Sequence, residues 1–332
     1  DVYKRQAGRR AFGIMVKIRQ DDVQRLDDAA RAGWLYYVAG RTQDEIARQL
    51  GISRQSAQRL VSLSISAGLV KVRIDHPIAA CLDLAESLRQ AHGLRSVEVV
   101  PSDASSSSTT LGVALAGAAE IQRRLAEPAP SILAMGTGRT LKAAVEQLPL
   151  LRAPMHRIVS LTGNITLDGS ASVFNVIFSM ADRIEEASLY PMPLPVVVSS
   201  PQERALLHEQ KVVERTLSLA AQADVTFVGI GEIGPNAPLM KDRFISPEEC
   251  DELVRLGGTG EIVGWVFDGH GRFLDCPYNE RVASAPLPAT GQGDVIALAM
   301  GRSKLPAIRA AVVGGLVSGL ITDEETARAL LP

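Results

Sequence analysis

TQDEIARQLGISRQSAQRLVSL, residues 42–63, predicts two short helices joined by a tight turn, the pattern of a helix-turn-helix. Thr42 stands three residues before Glu45, which is the spacing of a capping box, where each side chain accepts a hydrogen bond from the other residue's backbone amide. Gly51 predicts the end of the first helix because glycine readily adopts the left-handed backbone of a helix stop. Ser53 is placed to cap the second helix. These four residues define both helices and the turn between them.

The second predicted helix has two chemically different faces. One face is small and apolar, with Ala57, Leu60, Val61 and Ser64, and the opposite face is polar, with Arg54, Gln55, Gln58, Arg59 and Ser62. Arginine donates two hydrogen bonds to guanine, and glutamine both donates to and accepts from adenine, so the polar face is suited to the major groove of DNA. The alternative is an ordinary helical hairpin whose outer face is merely solvated. Within this motif, the residues predicted to contact DNA are Thr42, Ser53, Arg54, Gln55, Ser56, Gln58 and Arg59.

The flanking segments extend the motif into a small domain. Apolar residues keep helical spacing over residues 21–38 and predict a first helix that packs across the other two. They are Val23, Leu26, Ala30, Trp34 and Tyr37. We expect Trp34 and Tyr36 to support the core rather than to stack on bases. After the motif, alternating apolar and basic residues predict a short strand, or wing, whose Lys71 and Arg73 reach DNA phosphates.

Charge is divided unevenly along the chain. The 332 residues carry a formal net charge of −2. Residues 1–75 contain 14 Lys/Arg and 8 Asp/Glu, a net charge of +6, whereas the remainder contains 21 basic and 29 acidic residues, a net charge of −8. This division is typical of a small nucleic-acid-binding domain joined to a larger domain with a different ligand.

Composition excludes several other classes of protein. No apolar run approaches the roughly 20 residues that cross a bilayer, and no signal peptide is evident, so we expect a soluble, cytoplasmic protein with no membrane partner. The cysteines, Cys81, Cys250 and Cys276, are few and far apart, which argues against disulfides and against a zinc site. The histidines show no metal-ligand spacing, and no Ser/His/Asp set can be assembled. We therefore predict no catalytic residues, no metal and no cofactor.

Domain boundaries follow from breaks in these patterns. The opening DVYKRQ resembles a translated adapter rather than coding sequence, and Met15 is a plausible start, so residues 1–14 are predicted to be a non-native or disordered leader. Residues 15–75 form the predicted helix-turn-helix domain. His76 and Pro77 interrupt the pattern, and a helix over residues 78–92 opens the second domain, residues 76–332.

In the second domain, short apolar strands alternate with helices such as the one predicted over residues 111–125. This alternation predicts an α/β fold with a mostly parallel sheet covered on both faces. Ligands bind at the carboxyl ends of such strands. The strand candidates are residues 97–100, 132–135, 158–161, 196–198, 225–230, 262–267 and 295–300.

The loop after the second strand candidate has the composition of a phosphate site. It reads Gly136, Thr137, Gly138, Arg139 and Thr140, and a helix is predicted over residues 141–148. Glycines let backbone amides approach an anion, the helix start adds positive potential, and the other side chains donate hydrogen bonds. The alternative is a glycine turn with a purely structural role.

Further loops follow other strand candidates. The glycines of residues 229–236 have dinucleotide-like spacing, but Pro235 and Pro238 prevent a regular helix directly behind them, so a small polar ligand is a better fit than a dinucleotide. Asp268 ends a strand candidate, either as a turn former before glycine or as an acceptor for ligand hydroxyls. Lys304 stands ahead of a helix from about Pro306, where its ammonium group could reach an anion.

Several stretches together resemble the SorC family of sugar-binding transcriptional regulators, from about Met15 to the end of the chain. They are EIARQLGISRQSAQRLV, MGTGRT, SLTGNIT, FVGIGEIGP, GEIVGWVFDGHG and AMGRSKLPAIRAAVVGGLVSGLITDEETA. SLTGNIT and NVIFSMAD are also similar to regulators of erythritol and related polyol catabolism.

This resemblance implies a winged helix-turn-helix domain followed by an effector domain similar in fold to glucosamine-6-phosphate deaminase, ribose-5-phosphate isomerase and the CoA transferases. It implies a homo-oligomer, dimer or tetramer, that binds double-stranded operator DNA and a phosphorylated sugar or polyol. By motif, Gly136, Thr137, Gly138, Arg139 and Thr140 would hold phosphate with help from Lys304, and Gly231, Glu232 and Asp268 would line the sugar end.

The alternative function is a sugar-phosphate isomerase or deaminase with a helical extension. The related deaminases place a histidine of their acid–base machinery after the glycine in the loop that aligns with residues 231–234. This chain has Pro235 there, and proline can neither donate nor accept a proton. The sequence therefore favours a regulator of a carbohydrate or polyol operon over an enzyme.

Overall fold

The computed structural model describes residues 20–70, 78–103, 110–166, 169–170, 176–288 and 291–332. The chain divides into two compact units, Asp1–Pro77 and Ile78–Pro332. The predicted leader, residues 1–14, lies outside the described residues. Lys71 and Arg73 of the predicted wing also lie outside them.

The first unit contains α1 (Gln20–Tyr37), α2 (Gln43–Leu50) and α3 (Arg54–Ser66). The predicted capping box is confirmed, since the amide of Glu45 donates to Oγ1 of Thr42 at 3.3 Å and the amide of Thr42 donates to Oε2 of Glu45 at 2.8 Å. Gly51 ends α2 with a φ of 66°. Ser53 caps α3 by accepting the amide of Ser56 at 3.1 Å. The local signals of the sequence therefore define these helix ends.

The predicted packing face of α1 is wrong. Trp34 is 55% exposed and Tyr37 is 40% exposed, whereas Ala32 and Leu35 join the core. Tyr36, also expected in the core, is 38% exposed. The reason is close helix contact. A Cβ at Gly33 would lie 2.4 Å from Oγ of Ser64 on α3, so a larger residue does not fit at this point of close approach.

The second unit alternates strands and helices, as predicted. In chain order its elements are α4 (Ala79–His92), β1 (Ser96–Val100), α5 (Leu111–Leu125), β2 (Ile132–Met135), α6 (Arg139–Glu146), β3 (Leu151–Arg152), β4 (Arg157–Ser160), α7 (Val176–Ala181), β5 (Ile184–Glu185), β6 (Ser188–Tyr190), α8 (Pro201–His208), α9 (Lys211–Ala221), β7 (Val225–Val228), β8 (Gly231–Glu232), α10 (Pro238–Lys241), α11 (Pro247–Arg255), β9 (Gly258–Ile262), β10 (Trp265–Asp268), α12 (Pro277–Glu280), β11 (Asp294–Leu298), a 3-10 turn (Arg302–Lys304), α13 (Leu305–Val313), β12 (Gly319–Asp323) and α14 (Glu324–Leu330).

A parallel sheet organises this unit. Within the described residues it has seven strands in the order β1-β12-β11-β7-β2-β4-β6, and every neighbouring pair is parallel. From β2 the chain proceeds to β4 and β6 on one side. It then returns to β7 on the other side of β2. The strand order therefore reverses between β2 and β7, and ligands of open α/β sheets bind beside such a switch point.

Both faces of the sheet are covered. Leu133 and Met135 of β2 belong to one core cluster, with residues of α5, α6 and α7. Ile132 and Ala134 of the same strand belong to another, with residues of α4, α9, α13 and α14. Successive side chains of a strand point to opposite faces, so the all-apolar run of β2 fits a strand buried on both sides.

Two strand candidates are wrong. Residues 196–198 do not form a strand of the sheet, since Val197 makes only an isolated bridge with Val282, next to one between Pro195 and Ile165. Residues 262–267 straddle a hairpin between β9 and β10, because Val263 and Gly264 both have positive φ, 48° and 90°. This hairpin and β8 form a separate antiparallel sheet. The strands β6 and β12 of the parallel sheet were missed, as were the two-residue strands β3, β5 and β8.

Candidate functional site

The outer face of α3 is the first candidate surface. Arg54, Gln55, Gln58 and Arg59 are exposed, while Ala57 and Val61 on the opposite face are buried. Nε of Arg54 lies 3.5 Å from Oδ1 of Asp44 on α2, an exposed ion pair of little energetic weight. The predicted division of this helix into a packed face and an accessible polar face therefore matches its burial.

A cavity at the switch point is the second candidate site. Its empty volume, including the part open to solvent, is about 760 Å³. It is lined by the loops that follow β2, β4, β7 and β11, which are distant from one another along the chain. The lining residues are Thr137, Gly138, Arg139, Thr140, Leu141, Thr162, Val196, Gly229, Ile230, Gly231, Pro238, Leu239, Asp242, Phe244, Glu261, Val263, Gly264 and Lys304.

The loop after β2 is held close to the sheet. The amide of Gly136 donates to the carbonyl of Phe227 on β7 at 2.8 Å. A Cβ at Gly136 would lie 3.2 Å from that carbonyl oxygen and 3.1 Å from Cγ1 of Val263, so a side chain there would be crowded. Gly138 has a φ of 121° and provides no side-chain cap to α6. The start of α6 thus borders the cavity with a glycine, and no side chain, at its N-cap position.

Arg139 and Asp242 form an ion pair at the cavity. Nη2 of Arg139 donates to Oδ1 of Asp242 at 2.7 Å, and the two side chains are 38% and 18% exposed. Partial burial raises the pKa of Asp242, an effect that the charge of Arg139 opposes. The predicted phosphate loop therefore faces a carboxylate from the segment between α10 and α11.

Lys304 lies half-buried in the cavity wall, at the end of the 3-10 turn that follows β11. Among the described residues it forms no ion pair within 4.0 Å. Burial lowers the pKa of Lys304, and the nearby charges of Glu232 and Glu261 oppose this shift. An anion that enters the cavity would therefore stabilise the charged form of Lys304.

Glu261 on β9 is the pocket-lining carboxylate that sequence reasoning missed. Its Oε2 accepts the amide of Gly264 at 2.9 Å in the turn before β10. Its Oε1 lies 2.3 Å from the position of a Cβ at Gly231, so the glycine on β8 leaves room for the carboxylate. Burial raises the pKa of Glu261, helped by the charges of Glu232 and Asp242 and opposed by Gly264 and Lys304.

The remaining predicted residues, Glu232 and Asp268, are not among those that line the cavity. Glu232 does not line the cavity, but its charge acts on Lys304, and its Oε2 is buried with no hydrogen-bond partner among the described residues. Asp268 is not among the lining residues. Its carboxylate accepts the amides of His270 and Arg272 and the Arg272 guanidinium at 2.8 Å, and these contacts, led by the Arg272 amide, lower the pKa of Asp268 to about 2. Asp268 therefore fits the turn-forming alternative.

Thr162 and Asp242 also line the cavity without having been predicted. Oγ of Ser284 donates to Oγ1 of Thr162 at 2.7 Å, which fixes the threonine just beyond β4. Thr162 follows an apolar strand in the same way as Thr137, and this position was a usable signal. Asp242 had none, because only the tertiary fold brings it to Arg139.

Comparisons with known proteins identify the family. The family model described as "Putative sugar-binding domain" matches residues 76–332. The chain is 35% identical over 303 residues to the erythritol catabolism regulatory protein EryD of Brucella abortus (strain 2308), covering 91% of this chain and 96% of that protein. The structure of the full-length sorbitol operon regulator SorC from Klebsiella pneumoniae matches with a TM-score of 0.67 and 25% identity, covering 92% of this chain and 99% of that one. The chain belongs to the SorC family of sugar-binding transcriptional regulators.

A further relative of this SorC-family protein is the transcriptional regulator LsrR of Escherichia coli (strain K12), 30% identical over 311 residues, covering 92% of this chain and 94% of that protein. These relatives are named as regulators and not as enzymes, which confirms the preference for a regulator over an isomerase or deaminase. No helix within the described residues has the length and apolarity needed to traverse a membrane.

Proposed function

We propose that this SorC-family protein represses or activates a carbohydrate or polyol catabolic operon by binding operator DNA, under the control of a phosphorylated sugar or polyol. The observation that carries this proposal is the open cavity at the switch point, where the glycine loop after β2, Arg139 and Lys304 converge. The names of the relatives, which include an erythritol catabolism regulator and a sorbitol operon regulator, support a sugar or polyol as the effector.

Operator binding is assigned to a winged helix-turn-helix in the first unit. Ser53 sets the start of α3, and its first turns expose Arg54, Gln55 and Gln58. These side chains have the donors and acceptors that distinguish guanine and adenine in the major groove. Three residues close to these in sequence would contact the sugar-phosphate backbone of the DNA beside the bases. They are Thr42, Ser56 and Arg59. Lys71 and Arg73, in the proposed wing, would add phosphate contacts that raise affinity without selecting a sequence.

Effector binding is assigned to the cavity. A phosphate would accept hydrogen bonds from the backbone amides at the start of α6 and from the side chains of Thr137 and Thr140. Lys304 would neutralise part of its charge. Asp268, which the resemblance assigns to the sugar end, is left out of the proposed effector contacts, because its carboxylate is engaged by Arg272 outside the cavity.

The two activities are coupled through a homo-oligomer, dimer or tetramer. Dimeric readers match the spacing of their recognition helices to that of DNA half-sites, so an effector that favours one arrangement of subunits changes operator affinity. The linkage is reciprocal, and operator DNA must change effector affinity by the same factor. A regulator of this kind acts on chromosomal DNA, so a cytoplasmic location is part of the proposal.

Selection of bound sequences from a random DNA library, followed by binding titrations at fixed salt, tests the proposal directly. The expected result is one enriched, roughly palindromic sequence whose affinity changes when a phosphorylated sugar or polyol is added. Failure to enrich any sequence would contradict the DNA half. If the affinity for the operator does not change with any phosphorylated sugar or polyol tested, the effector half of the proposal is contradicted.

A further inference from the structure

The charges that line the cavity leave capacity for one anionic group. The lining cations within the described residues are Arg139 and Lys304, and the lining carboxylates are Asp242 and Glu261. Asp242 already accepts from Arg139 at 2.7 Å. Lys304 is the cation left without an ion pair within 4.0 Å among these residues, and the charge of Glu232 also acts on it.

Glu261 presents its carboxylate in a fixed position. Its Oε2 is held by the Gly264 amide, and Gly231 on the neighbouring strand lacks the Cβ that would lie 2.3 Å from Oε1. A carboxylate accepts hydrogen bonds and donates none, so a ligand hydroxyl is a good partner for it and a second anion is a poor one. Low local dielectric strengthens both effects.

Glu232 adds to the same field. Its Oε2 is buried without a hydrogen-bond partner among the described residues, and its charge acts on Glu261 as well as on Lys304. Asp242 acts on Glu261 in the same sense. A second anionic group on the ligand would therefore meet several carboxylates, and the described lining residues offer it no further cation.

We propose that Glu261, supported by Glu232, makes the cavity selective for ligands that carry one anionic group and uncharged hydroxyls elsewhere. The effector class is then the monophosphates of neutral sugars or polyols. Bisphosphates and phosphorylated sugar acids are rejected. This inference rests on the proposed function, because it takes the anionic group to be the phosphate that the loop after β2 would bind.

Matched pairs of compounds test this selectivity on the full chain. Each pair differs in one terminal group, a neutral hydroxyl in one member and a carboxylate in the other. Suitable pairs are glycerol 3-phosphate with 3-phosphoglycerate, erythritol 4-phosphate with 4-phosphoerythronate, and sorbitol 6-phosphate with 6-phosphogluconate. Dissociation constants are measured at constant pH and ionic strength, since screening alters every term. The neutral-ended member of whichever pair binds should bind at least about tenfold more tightly than its acid.

Glu261→Gln is the decisive variant. Glutamine keeps an oxygen for the Gly264 amide but removes the charge, so it should lower the neutral-to-acid preference by about tenfold or more. Asp268→Asn removes one charge outside the cavity and is the matched control, which should keep the wild-type preference. Glu232→Gln should reduce the preference in the same direction, and it provides the same test if Glu261→Gln does not fold.

The outcomes separate the two proposals. If phosphorylated compounds bind but each acid binds as well as its neutral partner, the selectivity assigned to Glu261 is wrong and the proposed function stands. An unchanged preference in both Glu261→Gln and Glu232→Gln has the same meaning. If no member of any pair binds, the effector half of the proposed function fails and the selectivity fails with it.

Discussion

Asp242 holds Arg139 at the cavity, with 2.7 Å between Oδ1 and Nη2, so the chain supplies its own carboxylate to the arginine of the proposed phosphate loop. An incoming phosphate that also uses Arg139 must share or displace that carboxylate. We therefore predict that Asp242→Asn binds a phosphorylated effector more tightly, by about 1 kcal/mol, or about fivefold in Kd. Titration calorimetry measures this, with Asp268→Asn as the control outside the cavity. Weaker binding would mean that Asp242 contacts the ligand itself.

Lys304 and Thr137 should both be required for effector binding. A ligand that binds only the folded state raises the melting temperature according to its concentration relative to Kd. We expect Lys304→Ala and Thr137→Ala to reduce that shift at a fixed concentration of a sugar or polyol phosphate. Lys211→Ala removes the same charge from the exposed start of α9 and should leave the shift unchanged. Full shifts in both cavity variants would exclude a phosphate at this loop.

Base reading by α3 should depend on Arg54 and Gln58. Replacing either with alanine should cost about 1–3 kcal/mol of discrimination between operator and random DNA, because a base contact is lost while phosphate contacts remain. Fluorescence anisotropy at fixed salt gives both affinities. Arg255→Ala, which removes the same charge from α11 in the other unit, is the control. An unchanged affinity ratio in Arg54→Ala and Gln58→Ala would remove the base-reading role.

Two carboxylates should affect stability with opposite pH dependence. The pKa of Glu261 is raised from 4.5, mainly by burial, so its ionisation opposes folding, and stability falls as pH rises above 4.5 through the raised pKa. Glu261→Gln should therefore raise the melting temperature of the ligand-free protein at neutral pH and lose this advantage near pH 4.

Asp268 provides the opposite case. Its pKa is lowered from 3.8 to about 2, so its ionised form contributes stability above 3.8 that is lost as pH falls through about 2. Asp268→Asn should lower the melting temperature at neutral pH and have no effect at the acid end. Thermal unfolding of both variants across pH checks the two signs. Parallel curves for mutant and wild type would show that neither carboxylate's pKa is shifted.

Gly33 should be essential to the first unit alone. A Cβ there would lie 2.4 Å from Oγ of Ser64 and 2.7 Å from Cγ2 of Val70. Gly33→Val should cost about 1–3 kcal/mol or more by overpacking, and so weaken DNA binding. The effector-induced thermal shift of the second unit should persist. Arg31→Val, on the exposed face of the same helix, should be tolerated, and equal stability of the two variants would argue against the close contact.

Local signals allowed the first unit's helix ends to be predicted from sequence. Thr42, Glu45, Gly51 and Ser53 act within a few residues of each other, so their caps do not depend on the rest of the fold. The packing face of α1 could not be predicted from such local signals. Trp34 and Tyr37 keep helical spacing, but α1 approaches α3 closely at Gly33, and spacing alone does not report how close two helices come.

The cavity was predicted only in part for a similar reason. Thr137, Arg139 and Lys304 follow apolar strands, and the rule that ligands bind at strand ends assigns them to one edge. Glu261 and Asp242 come from the hairpin sheet and from a turn after α10, whose positions depend on tertiary packing. Asp268 shows the converse, since it ends a strand that does not belong to the parallel sheet.

The reversal of strand order between β2 and β7 has a mechanical consequence. The loops after these strands come from halves of the unit that are far apart along the chain, and the Gly136 amide already bridges to Phe227. A small molecule bound by both loops would link the two halves and slow their separation. Protection of backbone amides from deuterium exchange should then rise in both halves at once, even though the molecule touches only their edges.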